Sequence, residues 1–233
     1  MRVDSSELAD IKPAKFIAMP ENEGGGYILG PVRASYVFLK KGKEEAIAGQ
    51  PVRMKYTLTA LLPPGSPFRE IWEVAEAEIR KNMGDKLRAI PGGKIPDTIR
   101  RGIRFVDKEP GYIGKAGFHS GWAFMSLITY ENAPGVVDGQ RNPVDPGLVI
   151  PGHWVRVRMK PFFYNNRQIG VSWGLNAVQL GFADKRLDNR VDATAAFGEW
   201  EVDGTESAAS PPPSNVTGST PGGVAKPEAM PWE

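Results

Sequence analysis

Between residues 154 and 164 the chain alternates without a break. Trp154, Arg156, Arg158, Lys160, Phe162 and Tyr164 fall on one side, and Val155, Val157, Met159, Pro161 and Phe163 on the other. Period two predicts a strand. Burying Arg156, Arg158 and Lys160 in a row without partners would cost several kcal/mol per group, so the valine face is the core and the cationic face points outward. Asn165-Asn166-Arg167-Gln168 reads as a turn, and residues 169–175 return as a last strand through Val171, Trp173 and Leu175. Residues 31–39 and 52–62 alternate too and predict two strands of a meander, joined by a Lys40–Lys43 turn. After Pro63-Pro64-Gly65 the period changes. Ser66 is the expected cap of a helix with Pro67 at its first position, Phe68, Ile71, Trp72, Ala75 and Ile79 form its apolar stripe, and Gly84 is the stop. Residues 118–130 predict a largely buried strand, and 136–138 a short pairing segment.

The remaining segments carry weaker patterns. Residues 1–30 predict an N-terminal arm or loops. Residues 85–117 read as a long basic loop with a short strand near 99–106; its cations either line a groove or are simply solvated. Residues 184–203 are polar and acidic, with Phe197 and Trp200 as candidate anchors. From Gly204 the chain is rich in Ser, Pro and Gly and lacks the apolar surface to fold. The expected organisation is therefore mainly β: an arm over 1–30, a folded domain over 31–203 and a disordered tail over 204–233.

Composition narrows this little. The chain has 233 residues, 41% hydrophobic and 24% charged, as expected of a soluble globular protein. No apolar run approaches ~18 residues, so no membrane span or membrane partner is expected. Acids near the N-terminus argue against a signal peptide, and the absence of cysteine removes disulfides, thiolate metal sites and thiol nucleophiles. Net charge is only +2, but its distribution is uneven. Arg156, Arg158, Lys160 and Arg167 occur between Asp145 and Asp184 with no acid among them, and six cations between Lys86 and Arg104 face only Asp97.

Enzymatic chemistry finds few residues. His119 and His153 have no metal-ligand spacing, and Pro91-Gly92-Gly93-Lys94 lacks the pattern of a phosphate loop. Glu70, Glu73, Glu76 and Glu78 read as a solvated helix face, with a Glu73/Glu76 metal pair as a remote alternative. No enzyme activity, metal or cofactor is expected.

A strand face with three cations and three rings suits single-stranded nucleic acid, which offers phosphates to the former and flat bases to the latter. Trp154, Phe162 and Tyr164, with Trp173, are the candidate stacking residues; Arg156, Arg158, Lys160 and Arg167, with Arg53 and Lys55, are the candidate phosphate contacts. The alternative is a solvated strand whose Arg and Lys stems cover Trp154 and Tyr164, or a virion or scaffold β-barrel that binds no nucleic acid. At the end of the chain, Glu228, Trp232 and Glu233 form either a featureless tail or a short peptide that docks on partners.

Several motifs resemble a known family. They are Pro110-Gly111-Tyr112, Pro134-Gly135-Val136-Val137-Asp138, Gly152-x-Trp154-Val155-Arg156, Phe163-Tyr164-Asn165 and, most specifically, Gly170-Val171-Ser172-x-Gly174-Leu175-Asn176-x-Val178-Gln179. In order and spacing they are similar to bacteriophage single-stranded-DNA-binding proteins. The resemblance implies an OB-fold, a five-stranded barrel, with one helix. It further implies sequence-independent binding of single-stranded DNA during phage DNA replication and recombination in the infected host's cytoplasm, and a tail that contacts replication or recombination proteins. Two features depart from the family. Trp173 stands where a small residue is expected, and is either an added stacking platform or an extra core ring. The tail is only mildly acidic, with Glu206, Glu228 and Glu233 against Lys226.

Overall fold

The computed structural model describes residues 13–46, 51–88, 94–130, 132–166 and 168–188. Its longest strand explains how the chain closes on itself. β2 (Tyr27–Glu45) pairs by its first part with β7 (Trp154–Asn165) and by its second with β3 (Arg53–Leu62). Register shifts between Leu29 and Val32 on one edge, and between Ser35 and Phe38 and between Phe38 and Lys43 on the other, mark the irregularities. Extra residues of this kind bend a strand and increase its twist, so one strand can serve two walls. β3 continues antiparallel to β5 (Ala123–Tyr130), β5 pairs parallel with β8 (Ile169–Leu180), and β8 pairs antiparallel with β7. The circuit β2–β3–β5–β8–β7–β2 is a closed five-stranded OB-fold barrel, which leaves none of the five with an open edge.

Short strands extend this core: β1 (Lys15–Ala18) on β2, β4 (Arg104–Phe105) on β5, and β6 (Gly135–Val137) parallel to β8. Residues 15–18 and 27–30, expected within an arm or loops, are thus part of the sheet, joined by a loop over 19–26. Phe16 stacks on Tyr27 with centroids 4.5 Å apart, and both rings pack on the core, which ties the segment down.

Helix α1 (Phe68–Met83) buries Ile71, Ala75 and Ile79, the stripe its spacing predicts. A short turn of helix, α2 (Asp85–Arg88), follows Gly84. The expected cap is absent. Pro67 occupies the capping position, the Ser66 hydroxyl is buried without a hydrogen-bond partner among the described residues, and the Ser66 carbonyl instead accepts the Phe68 N–H at 2.8 Å.

Two clusters hold the barrel. The larger fills its interior with, among others, Leu29, Val32, Leu58, Leu127, Val155, Val157, Met159 and Trp173. The smaller lies on the outside of β3 and β5, where Leu61 and Phe124 meet Val106, Phe118, Trp122 and Trp154. Residues 106–122, expected as the end of the long basic loop and the start of a buried strand, lay aromatic side chains across that outer face. Phe118 and Tyr112 lie 5.2 and 4.5 Å from the Phe124 ring.

Candidate nucleic-acid interface

Strand register decides which outward residues are neighbours. Thr57 on β3 faces Ile128 on β5, Ile128 faces Gly174 on β8, and Gly174 faces Lys160 on β7. One step along, Thr59 faces Ser126, the parallel register sets Ser126 beside Ser172, and Ser172 faces Phe162. Two rows therefore cross four strands. Their middle is Ile128 and Gly174 in the first row and Ser126 and Ser172 in the second, their β7 end carries a cation and a ring, and neither contains an acid.

Glycine at 174 keeps the floor low. A Cβ there would sit 3.8 Å from Cδ1 of Phe162, so the ring lies directly beside this bare stretch of backbone. Phe162 is 39% exposed, high for a phenylalanine.

The trough deepens at one end into a cleft of ≈ 440 Å³ between Ser126, Tyr164, Ser172 and residues 97–104. Arg100 is exposed at its rim. Arg104 lies 4.4 Å over the Phe124 ring and 5.3 Å from that of Tyr112, with the Glu109 carboxylate 4.0 Å away. Residues 97–104 of the basic loop, left open between groove and solvated loop, thus form a wall of this cleft. At the opposite end Lys55 holds Glu45 at 2.6 Å and lies 6.0 Å from the Tyr130 ring. Burial, followed by its hydrogen bond to Glu45, pushes the Tyr130 phenol up to about 12. The Lys55 hydrogen bond in turn lowers the Glu45 carboxyl.

The predicted residues separate into groups. Lys160 and Phe162 belong to the two rows, and half-buried Tyr164 lines the cleft. Arg156 is exposed farther along β7, beside Gln179, and Arg53 is exposed at the start of β3. Arg158 is turned toward the 20–26 segment, where its Nη2 donates to the carbonyls of Glu23 and Gly25. Lys55 is engaged by Glu45. Arg167, Glu228, Trp232 and Glu233 lie outside the described residues.

Two expectations are corrected. Trp154 is no surface platform: it is 1% exposed, because residues 181–187 and 106–122 fold over the start of β7. Its Nε1 donates to Asp184 at 2.8 Å, and its ring lies 5.7 Å from Phe182 and 6.4 Å from Trp122. Trp173 is a core ring at 0% exposure, edge-on to Phe16 and Tyr27, with Nε1 3.4 Å from the Arg101 carbonyl. Sequence reasoning missed Ser126 and Ile128. The residues themselves carried a signal: a serine within the mostly apolar run 123–128.

Among the described residues no group of three His, Cys, Asp or Glu side chains could hold a metal ion, and no helix is long and apolar enough to cross a membrane.

No known protein family and no curated protein matches this sequence. Solved structures do. The single-stranded DNA-binding protein of bacteriophage Enc34, determined in complex with single-stranded DNA, is 21% identical, with a TM-score of 0.53 over 77% of this chain and 99% of that one. The single-stranded DNA-binding protein gp2.5 encoded by bacteriophage T7 is 16% identical, with a TM-score of 0.50 over 76% and 97%. In fold, this chain resembles phage single-stranded-DNA-binding proteins along most of its length, in agreement with the motifs of residues 110–179.

Proposed function

We propose that this protein binds single-stranded DNA without sequence specificity and protects it during phage DNA replication and recombination, in the cytoplasm of the infected cell. The observation that carries this reading is the pair of acid-free rows across β3, β5, β8 and β7, with Ser126, Ile128, Ser172 and Gly174 as floor, a ring at one end and cations around it. OB-folds bind oligonucleotides on the face of their second and third strands, which here are β3 and β5. Likeness of fold to the two phage proteins, one of them solved with single-stranded DNA, supports the same reading.

The strand lies in the trough with a base stacked on Phe162 and a second on Tyr164. Lys160 and Arg100 take phosphates inside it; Arg156, Arg53 and Arg167 take them as the strand enters or leaves. Lys55 and Arg158 hold neighbouring segments in place. Sequence independence has a physical origin. A base stacks on a ring whatever its identity, and the hydroxyls of Thr57, Thr59, Ser126 and Ser172 rotate to donate or accept, so they impose no fixed pattern on base edges. The protein acts by binding, not catalysis. Its terminal segment, with Glu228, Trp232 and Glu233, engages replication or recombination proteins.

Fluorescence anisotropy of a labelled oligo-dT, titrated at several salt concentrations, tests the proposal. The expected result is binding that weakens linearly on a log–log salt plot, by about 0.7 per phosphate contact, and that exceeds binding to duplex of equal length. No binding, or preference for the duplex, refutes it.

A further inference from the structure

Arg100 and Arg101 are adjacent and meet opposite fates. The backbone here lies against β8, with the Arg100 N–H donating to the Ile169 carbonyl at 3.2 Å and the Arg100 carbonyl accepting the Val171 N–H at 2.8 Å. Successive side chains on such a segment leave on opposite sides. Arg100 is exposed toward the cleft, whereas Arg101 is only 5% exposed and points to helix α1.

Arg101 is fully satisfied. Its Nε and Nη2 donate to Oε1 of Glu76 at 3.3 and 3.2 Å, Nη2 also donates to the Ile95 carbonyl at 3.1 Å, and Nη1 donates to the carbonyls of Pro96 at 3.2 Å and Ile99 at 2.8 Å. The guanidinium lies 4.6 Å over the Trp72 ring, and Trp72 Nε1 donates to the same Glu76 oxygen at 3.0 Å. The second Glu76 oxygen accepts from Arg80 at 3.2 Å. Glu76, expected on a solvated face, is instead the anchor of this group.

A buried ion pair is weak grounds for stability, since well-packed apolar residues often do as well. What apolar residues cannot do is orient three separate carbonyls of one turn against one carboxylate. We propose that the Arg101–Glu76–Trp72 latch is a positioning device for the nucleic-acid interface. It fastens residues 95–101 to helix α1 and so aims Arg100 into the cleft. This inference rests on the single-stranded-DNA reading above.

A binding cycle tests it in the full-length protein: Arg100→Ala, Arg101→Lys and the double variant, titrated against labelled oligo-dT with melting curves recorded in parallel. Lysine keeps the charge but lacks the fork that spans carboxylate and carbonyls. Loss of one charge-assisted contact weakens binding roughly tenfold. Arg100→Ala and Arg101→Lys are each expected to show such a loss while keeping a cooperative melt, and the double variant to bind about as well as either single one, because Arg101 acts through Arg100. Wild-type affinity in Arg101→Lys, or losses that multiply in the double variant, overturns the latch. Should Arg101→Lys fail to melt cooperatively, Glu76→Gln replaces it in the cycle and is read in the same way. Wild-type protein that does not bind oligo-dT overturns the single-stranded-DNA reading along with the latch; wild-type binding with an unaffected Arg101→Lys overturns the latch alone.

Discussion

Replacing Phe162 by alanine separates stacking from charge. The ring lies beside Gly174 on the outer face and is 39% exposed, so it contributes little to the core. Full burial of a phenylalanine side chain stabilises by about 1.5–3 kcal/mol; scaled to the covered part of this ring, the folding loss is roughly 1–2 kcal/mol. The binding loss is set by the base that no longer stacks, about 1–3 kcal/mol, or roughly 5- to 150-fold in Kd. No phosphate contact is removed, so the slope of log Kd against log salt stays as in the wild type. Lys160→Ala, one row away on the same strand face, gives the opposite signature: a smaller affinity loss at high salt and a slope lower by about 0.7. The assay is oligo-dT anisotropy at four or more salt concentrations, with thermal melts to confirm folding. Wild-type affinity in Phe162→Ala, or a slope that falls as it does in Lys160→Ala, would refute the assignment of this ring as a stacking platform.

Other substitutions probe the same surface and its supports. The nearest atoms to a Cβ at Gly174 would be the Lys160 carbonyl at 3.5 Å, Phe162 at 3.8 Å and the Ile128 carbonyl at 4.0 Å, all ordinary contacts, so Gly174→Ala is expected to fold and bind normally. Gly174→Leu must place its branches in the trough and weaken oligonucleotide binding by roughly tenfold or more, with little change in melting temperature. Trp154→Ala should behave as a core deletion, lowering unfolding free energy in denaturant by about 3–5 kcal/mol while the folded fraction binds oligo-dT as before. For acid stability, burial first and the Arg33 charge second lower His119, and burial then Arg186 lower His153. Both folded values lie below the unfolded 6.5, so the unfolded chain takes up protons first as pH falls, and stability held above that value is lost below it. Melting temperature should therefore drop between about pH 7 and pH 5, above the range where carboxylates titrate, and replacing both histidines by glutamine should flatten the drop.

Local pattern went far in this chain. Period-two alternation was enough to locate β3, β7 and β8, and the cost of burying Arg156, Arg158 and Lys160 was enough to turn the valine face of β7 inward, as observed for Val155, Val157 and Met159. The apolar stripe of α1 was equally legible. Its cap was not, because a serine before a proline reads the same whether its hydroxyl or its carbonyl meets the helix. β1 was missed because a four-residue strand in a segment of prolines and glycines has no period of its own. It forms because Phe16 finds Tyr27.

The site was legible only in part, and the division follows from distance along the chain. The sequence by itself determined what can face outward on one strand, since alternation and charge are local properties. Tertiary structure decided the rest. It inserted β5 between β3 and β8, so that Ser126 and Ile128 stand where no pattern had located a site. It covered Trp154 with segments on either side of it, drew Trp173 into the barrel, and divided Arg100 from Arg101. Burial is a property of what other parts of the chain lay over a residue, and register is a property of two strands at once; neither can be written in the residues of one strand alone.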